Sequence, residues 1–151
     1  MKYKQTLTAK EVKEIGTIVY DVFDEGLRFI IMRGPYHWCG YVGIPEEHPL
    51  AGFDYETISF VSAHGGLTYS KLGGKEGVSG SSWPKGYWWY GWDYGHSGDY
   101  SHFEKMPDRK ARDDKDGTIK EVIDDSWEAL HDFKKLMKFT EEILKKSNLV
   151  R

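Results

Sequence analysis

The sequence has a single cysteine, Cys39, and no excess of positive charge. One cysteine cannot form an intramolecular disulfide bond, and it cannot supply the thiolates of a cysteine-based zinc site. The formal net charge of −3 provides no overall attraction to nucleic acid or to an anionic membrane. We therefore expect no extended nucleic-acid partner, although a local pocket could still hold one small anion.

Long apolar runs are also missing. No stretch approaches the ~20 apolar residues that span a bilayer, and the first residues, Met1–Gln5, lack the apolar core of a signal peptide. We therefore expect a cytoplasmic protein without membrane contact. The 151 residues, 39% hydrophobic and 30% charged, suit one globular domain over residues 1–151.

Hydrophobic patterning predicts a sheet over about residues 17–100. Two β-rich runs flank the turn residues Asp24–Gly26, which predicts a β-hairpin. Further strands are predicted over residues 36–44, 58–61 and 87–93, and the run at 58–61 leads to His64. A charged connection with one proline follows over residues 105–117, and helical spacing of apolar residues predicts a C-terminal helix over about 119–146. The predicted fold class is α+β, a twisted, mainly antiparallel sheet with this long helix packed on one face.

The most informative string begins at Trp88, where four aromatic residues occupy five positions. Asp93, His96 and Asp99 follow at spacings of three, and a glycine lies one or two positions before each of them: Gly91, Gly95 and Gly98. Glycines favour a looped chain on which side chains converge, and they permit close approach of a ligand. Taken alone, the same string also fits a rigid turn in which the aspartates bond to local amides.

A second polar marker lies upstream, in the string from His64 to Thr68. If its strand lies beside the strand over residues 87–93, His64 joins the aspartates and His96. Gly65 and Gly66 would then offer backbone N–H groups to an anion, and Thr68 would add a hydroxyl.

Three kinds of chemistry suit these residues. A divalent metal could be held by His64, Asp93, His96 and Asp99. In an enzyme, His96 and Asp93 would act as a general base and its orienting acid. In a binding protein, the same groups would hydrogen-bond a polar ligand together with Gly65, Gly66 and Thr68.

The aromatic run divides between two faces of its strand. Trp88, Tyr90 and Trp92 lie on one face and Trp89 on the other, and one set is expected in the core beneath the helix. The other set would line a pocket, where Trp89, joined by Trp83 or Tyr69, would stack on a nucleobase.

Three strings together, Gly40–Pro45, His64–Tyr69 and Trp88–Asp99, resemble a family of small, mostly uncharacterised proteins of phages and bacterial mobile elements. Its members carry an HGG[LI]T segment and a later W-x-G-[FW]-D-x-x-H-x-G-D segment, and the resemblance covers about residues 38–100. Relatives often have Cys-Ala-His-Ala where this chain has Tyr-Gly-His-Ser at 94–97, which implies chemistry that needs no cysteine. The resemblance implies that His64, Asp93, His96 and Asp99 form one site.

The leading hypothesis is therefore a phage-type protein that binds a polar, nucleotide-like ligand and acts against host defence by sequestering an immune signal. A phosphate beside these acids would need a metal, a basic residue such as Lys85 or Arg33, or amide donors. The alternatives are a metal-dependent hydrolase that uses the His/Asp cluster, and an inhibitor that binds a host protein through the aromatic patch. A homo-oligomer is compatible with each.

Overall fold

The computed structural model of the chain describes residues 11–12, 14–34, 38–58, 61, 63, 66–74, 84–93 and 119–147. These residues form strands β1 (Ile18–Asp24), β2 (Leu27–Arg33), β3 (Trp38–Pro45), β4 (Tyr69–Leu72) and β5 (Tyr87–Asp93), and helix α1 (Lys120–Lys146). The strands form one antiparallel sheet in the order β1-β2-β3-β5-β4. The predicted α+β class, with a C-terminal helix on one face of the sheet, is confirmed.

The predicted hairpin is confirmed in β1 and β2. Asp24 pairs with Leu27, so two residues, Glu25 and Gly26, form the turn. Both have positive φ, 51° and 87°, as a type I′ turn requires, and this turn matches the twist of the flanking strands. Glycine adopts such a φ without strain, which explains its place at the second turn position.

The prediction of a strand over residues 58–61 is wrong for the two of these residues that the structure describes. Its two described ends, Ile58 and Val61, lie outside any strand and are buried in the core. The strand that pairs with β5 is instead Tyr69–Leu72. The apolar character of the 58–61 run serves burial against the sheet rather than a place in it. The charged connection over 105–117 lies outside the described residues.

Helix α1 is 27 residues long, close to its predicted bounds. Glu121 lies in its first turn and Lys145 and Lys146 in its last. These charges interact favourably with the helix macrodipole at both ends. Among the residues that the structure describes, no helix combines the length and the apolar character that a bilayer crossing requires.

The main core lies between α1 and the sheet. Helix residues Val122, Leu130 and Phe133 join strand residues such as Phe29 and Val42 in one buried cluster. Residues of the segment between β3 and β4 complete that cluster: Leu50, Ile58 and Val61. A smaller cluster covers the opposite side of the sheet, called here the far face, and consists of Ile30, Met32, Cys39, Tyr41 and Trp89.

Tyr90 links the sheet, helix α1 and the segment between β3 and β4, which together form the main core. Its ring stacks on Phe133 of α1 with centroids 5.2 Å apart. Its hydroxyl donates a hydrogen bond of 2.9 Å to the carbonyl oxygen of Phe53, which also accepts one of 3.1 Å from the indole of Trp88. A buried tyrosine hydroxyl needs such a partner. β5 is thereby fastened to both the helix and the segment after β3.

Glycines of β3 and β5 lie directly beneath aromatic rings of the paired strand. Gly40 pairs with Trp92, Tyr41 with Gly91, and Gly43 with Trp89. A Cβ atom added at Gly40 or Gly91 would lie 2.5 Å from the paired ring, and one added at Gly43 would lie 2.9 Å from it. These contacts are below van der Waals distance, so the three positions exclude any side chain as long as the rings remain.

We therefore expect Gly40→Ala to destabilise the protein by about 1–3 kcal/mol, the usual cost of overpacking a core. The backbone at Gly40 has an ordinary φ, so the loss would come from the collision with Trp92 rather than from backbone strain. Urea unfolding followed by tryptophan fluorescence measures the change.

A double-mutant cycle with Trp92→Leu is the control for this prediction. Without the indole, the alanine methyl has room, and Gly40→Ala should then cost much less than it does in the wild type. An equal cost in both backgrounds would contradict the ring-over-glycine explanation. Gly52→Ala separates the two causes, because Gly52 has positive φ and nothing within 4 Å of its added Cβ. Any loss there would come from backbone strain and should be the same with and without the Trp92 indole.

Candidate functional site

The two polar segments singled out in the sequence meet at one end of the sheet. β4 pairs with β5 in antiparallel register, with Tyr69 opposite Gly91. The pairing extends one residue beyond the strand, since the backbone N–H of Thr68 donates to the Gly91 carbonyl at 2.8 Å. The run that enters β4, Gly66–Thr68, therefore lies beside the end of β5 at Asp93.

The structure describes four of the eight predicted ligand-binding residues: Gly66, Thr68, Trp89 and Asp93. The other four, His64, Gly65, His96 and Asp99, lie outside the described residues, as does Trp83. The two groups are connected directly along the chain, because His64 and Gly65 precede Gly66, and His96 follows Asp93 by three positions.

Gly66 forms a tight turn rather than the expected free amide. Its φ is +88°, and its backbone N–H donates to the Ala63 carbonyl at 2.9 Å. An amide already satisfied inside a turn is not available as an anion donor, so this part of the prediction is corrected. Thr68 is exposed, and its side chain is open to solvent at the entry to β4.

Trp89 does not present a ring to a ligand. Its relative exposure is 0%, its ring lies over Gly43, and its indole N–H donates to the Pro84 carbonyl at 3.2 Å. A fully enclosed indole has no free face on which a base can stack. We therefore assign Trp89 to the far-face cluster and exclude it from the candidate site.

Asp93 lies on the far face beside a buried thiol and a buried phenol. It is half-buried, and it lies opposite Cys39 in the ladder between β5 and β3. Burial, with a further contribution from the charge of Asp93, raises the pKa of Cys39 to about 12. Burial also raises the pKa of Tyr41 far above its usual range, with smaller contributions that include Cys39, Tyr69 and Asp93. Cys39 is therefore a protonated thiol at neutral pH and not a nucleophile.

Tyr69 completes this corner of the far face. Its ring packs edge-on against that of Tyr41, with centroids 5.3 Å apart and planes at 80°. The ammonium group of Lys71 lies 5.9 Å from the centre of the Tyr69 ring. Cys39 and Tyr41 were not among the predicted site residues, because their place beside Asp93 follows from the pairing of β3 with β5, which are not consecutive in sequence.

The two predicted phosphate-neutralising residues are placed differently. Lys85 lies just before β5 begins, at the opposite end of that strand from Asp93. Arg33 ends β2 and donates to two backbone carbonyls, that of Val12 at 2.6 Å and that of Gly34 at 2.9 Å. The guanidinium group of Arg33 is therefore engaged with backbone carbonyls. Lys85 lies too far along the strand to contact a ligand beside Asp93.

Within the described ranges, no three His, Cys, Asp or Glu residues are grouped so that they could hold a metal ion. Of the predicted metal ligands only Asp93 belongs to those ranges, so the metal hypothesis stays a prediction. A further histidine, His48, has a structural role. Its Nε2 lies 2.8 Å from a carboxylate oxygen of Glu141, and its Nδ1 accepts from the Leu50 amide.

Comparisons of the chain with protein-family models, with curated proteins and with solved structures found no match. The candidate site therefore depends on the geometry of this chain alone. That geometry has two parts. The backbone of Gly66–Thr68 lies beside the end of β5, and Asp93 lies beside Cys39 and Tyr41 on the far face.

The raised pKa of Cys39 predicts a loss of stability at alkaline pH. The unfolded chain loses the thiol proton from about pH 8.5, whereas the folded chain keeps it until about pH 12. The thiol's contribution is therefore fully present below pH 8.5 and falls as pH rises. Between pH 8.5 and 10.5 we expect the free energy of unfolding to fall further in the wild type than in Cys39→Ala, by up to about 2 kcal/mol.

Urea titrations of both proteins across this pH range measure the difference. Groups that do not interact with Cys39 contribute equally in both proteins, so their contributions cancel when one curve is subtracted from the other. Parallel pH profiles for the two proteins would contradict the prediction.

Proposed function

We propose that the end of the sheet at which β5 terminates binds a small polar ligand of nucleotide type. The observation that carries the proposal is the antiparallel pairing of β4 with β5, which brings Gly66–Thr68 beside Asp93. Two segments that are distant in sequence thereby lie side by side at one end of the sheet. Ordinary packing does not require that arrangement.

The side chains of Asp93 and Thr68 are of the kinds that bind ligand hydroxyl and amino groups. A half-buried carboxylate such as that of Asp93 accepts strong hydrogen bonds from these donors, and the exposed hydroxyl of Thr68 can donate or accept. His64 and His96 would add imidazole nitrogens, Asp99 a second carboxylate and Gly65 a backbone amide. Together they are suited to the hydroxyls of a ribose and to the polar edge of a base.

Phosphate is a weaker part of the recognition in this proposal. The Gly66 amide is engaged in a turn, Arg33 holds backbone carbonyls and Lys85 lies at the other end of β5. Two carboxylates near a phosphate would repel it unless a divalent metal joined them. We therefore expect the neutral nucleoside part of the ligand to provide most of the affinity.

The resemblance to phage and mobile-element proteins supplies the biological part of the proposal. A protein in a host cytoplasm that binds a nucleotide-like molecule without releasing it would remove that molecule from signalling. The proposed role is therefore anti-defence by sequestration of a host immune signal. That role is argued from the resemblance and the site chemistry together.

Ligand binding can be tested directly with a panel of nucleosides and of linear and cyclic nucleotides, by calorimetry and native mass spectrometry. We expect at least one of these probes to bind the wild type. Asp93→Asn should weaken binding by about tenfold or more, because a hydrogen bond to a charged acceptor is replaced by a neutral one. Lys85→Ala, at the opposite end of β5, is the matched control and should bind normally.

Two outcomes would contradict the proposal: no probe binds the wild type, or Asp93→Asn binds as tightly as the wild type. A normal melting temperature for Asp93→Asn must accompany any loss of binding, so that unfolding is excluded as its cause.

The same preparations discriminate sequestration from hydrolysis. After incubation with a bound probe, the protein is denatured and the released molecule is weighed by mass spectrometry. Intact probe supports sequestration. Cleaved probe whose formation stops in the presence of a chelator supports the metal-dependent hydrolase instead. A protein that binds no probe but captures a host protein through its aromatic residues would support the inhibitor hypothesis.

A further inference from the structure

The second half of α1 has an apolar stripe that is not buried by the part of the chain that the structure describes. All buried helix residues lie between Val122 and Phe133, and none is buried from Lys134 to Lys146, called here the helix extension. Within it, Phe139 is 59% exposed and Ile143 is 48% exposed. The fully buried part of the helix therefore ends at Phe133, while the apolar pattern continues beyond it.

The exposed residues follow the spacing of a coiled-coil seam. Leu136, Phe139 and Ile143 are separated by three and then four positions, so they lie along one side of the helix. Leu136 is partly buried against the core, and Phe139 and Ile143 continue outward from it. We call these three residues the seam.

The charges beside the seam are arranged for an antiparallel partner of the same sequence. Lys135 and Glu142 are seven positions apart, occupy equivalent places on the same flank of the seam, and are both exposed. In an antiparallel helix pair, residues on this flank face their counterparts on the other helix, which sets orientation and partner choice. Lys135 of one copy would face Glu142 of the other, and twofold symmetry repeats the pair.

The alternative alignments are less favourable. With the lysine–glutamate pairs formed, Leu136 of each copy packs against Phe139 of the other, at the centre of the contact. Sliding one helix by a heptad would instead place Glu142 against Glu142, a repulsive contact. A parallel pair would set the flank against Thr140 and Ser147, which carry no charge. The charge pattern thus selects one register and one orientation.

The helix extension is anchored on the protein. The imidazole of His48 lies 2.8 Å from a Glu141 carboxylate oxygen, and Lys134 contacts Asp24 and Glu25 of the hairpin turn. An anchored helix loses little conformational freedom when a partner binds, which lowers the cost of association.

From these observations we propose that the chain forms a twofold dimer through antiparallel pairing of its helix extensions along Leu136, Phe139 and Ile143. A contact about two heptads long is at the small end of specific interfaces, so the dimer should dissociate on dilution. It uses no residue of the proposed ligand site.

Sedimentation velocity of the full chain, in a concentration series from micromolar to near-millimolar, tests the dimer. The wild type should shift from the mass of one chain, 17.5 kDa, towards twice that mass. Phe139→Asp should remain monomeric throughout, because it places a charge at the centre of the seam. Its melting temperature, extrapolated to low concentration, should match that of the wild type, since the side chain is exposed in the monomer.

A charge swap tests the register. Lys135→Glu and Glu142→Lys should each raise the dissociation constant by at least about tenfold, because each creates two like-charge contacts. The double variant carrying both changes should dimerise as well as the wild type. Lys138→Glu is the matched control, because it makes the same charge change away from the seam and should have little effect.

The proposal is overturned if the wild type keeps the mass of one chain at every concentration. It is also overturned if both single reversals behave like Lys138→Glu, or if the double variant fails to restore the dimer.

Discussion

The pairing of β3 with β5 depends on three glycines that make room for the rings of the opposite strand. Gly40, Gly43 and Gly91 each lie beneath an indole or phenol, and a side chain at any of them would force the two central strands apart. Because β3 is the central strand of the sheet and β5 lies beside it, the other parts of the fold take their places from this contact. It orients Tyr90 toward α1, sets Asp93 beside Cys39, and leaves the outer side of β5 available to β4.

This contact also explains which parts of the fold could be predicted from the sequence. The β1–β2 hairpin, β5 and α1 are set by local features, namely a two-residue turn, an aromatic run and a helical period. β4 escaped prediction because it is a four-residue edge strand whose partner lies on the far side of a glycine- and serine-rich loop. The run at 58–61 has the apolar character of a strand, but its described ends are buried without joining the sheet.

Part of the arrangement around Asp93 could be predicted from the sequence, while the function of this region as a binding site stays a prediction. The sequence marked Asp93 and Gly66–Thr68 as parts of one site, and the β4–β5 ladder brings these described parts together. Two glycines have roles that differ from the predicted ones. Gly91 was expected to admit a ligand, but the ring of Tyr41 covers it, and the amide of Gly66 closes a turn. A glycine pattern alone does not distinguish room for a ligand from room for a neighbouring aromatic ring, because both require the absence of a side chain.

The proposed ligand site and the proposed dimer contact lie towards opposite ends of the sheet. Asp93 and Cys39 pair at one end of the β3–β5 ladder, and Pro45 and Tyr87 pair at the other. The loop after Pro45 carries His48, which contacts Glu141 of the helix extension, so the proposed dimer contact belongs to this second end. Binding at Asp93 and pairing of the helices therefore share no residue. Because the rigid central strands lie between them, a dimer would carry two separate ligand sites that fill without competing for the same surface. The ring-over-glycine contacts stiffen the β3–β5 pairing and so oppose coupling through these strands.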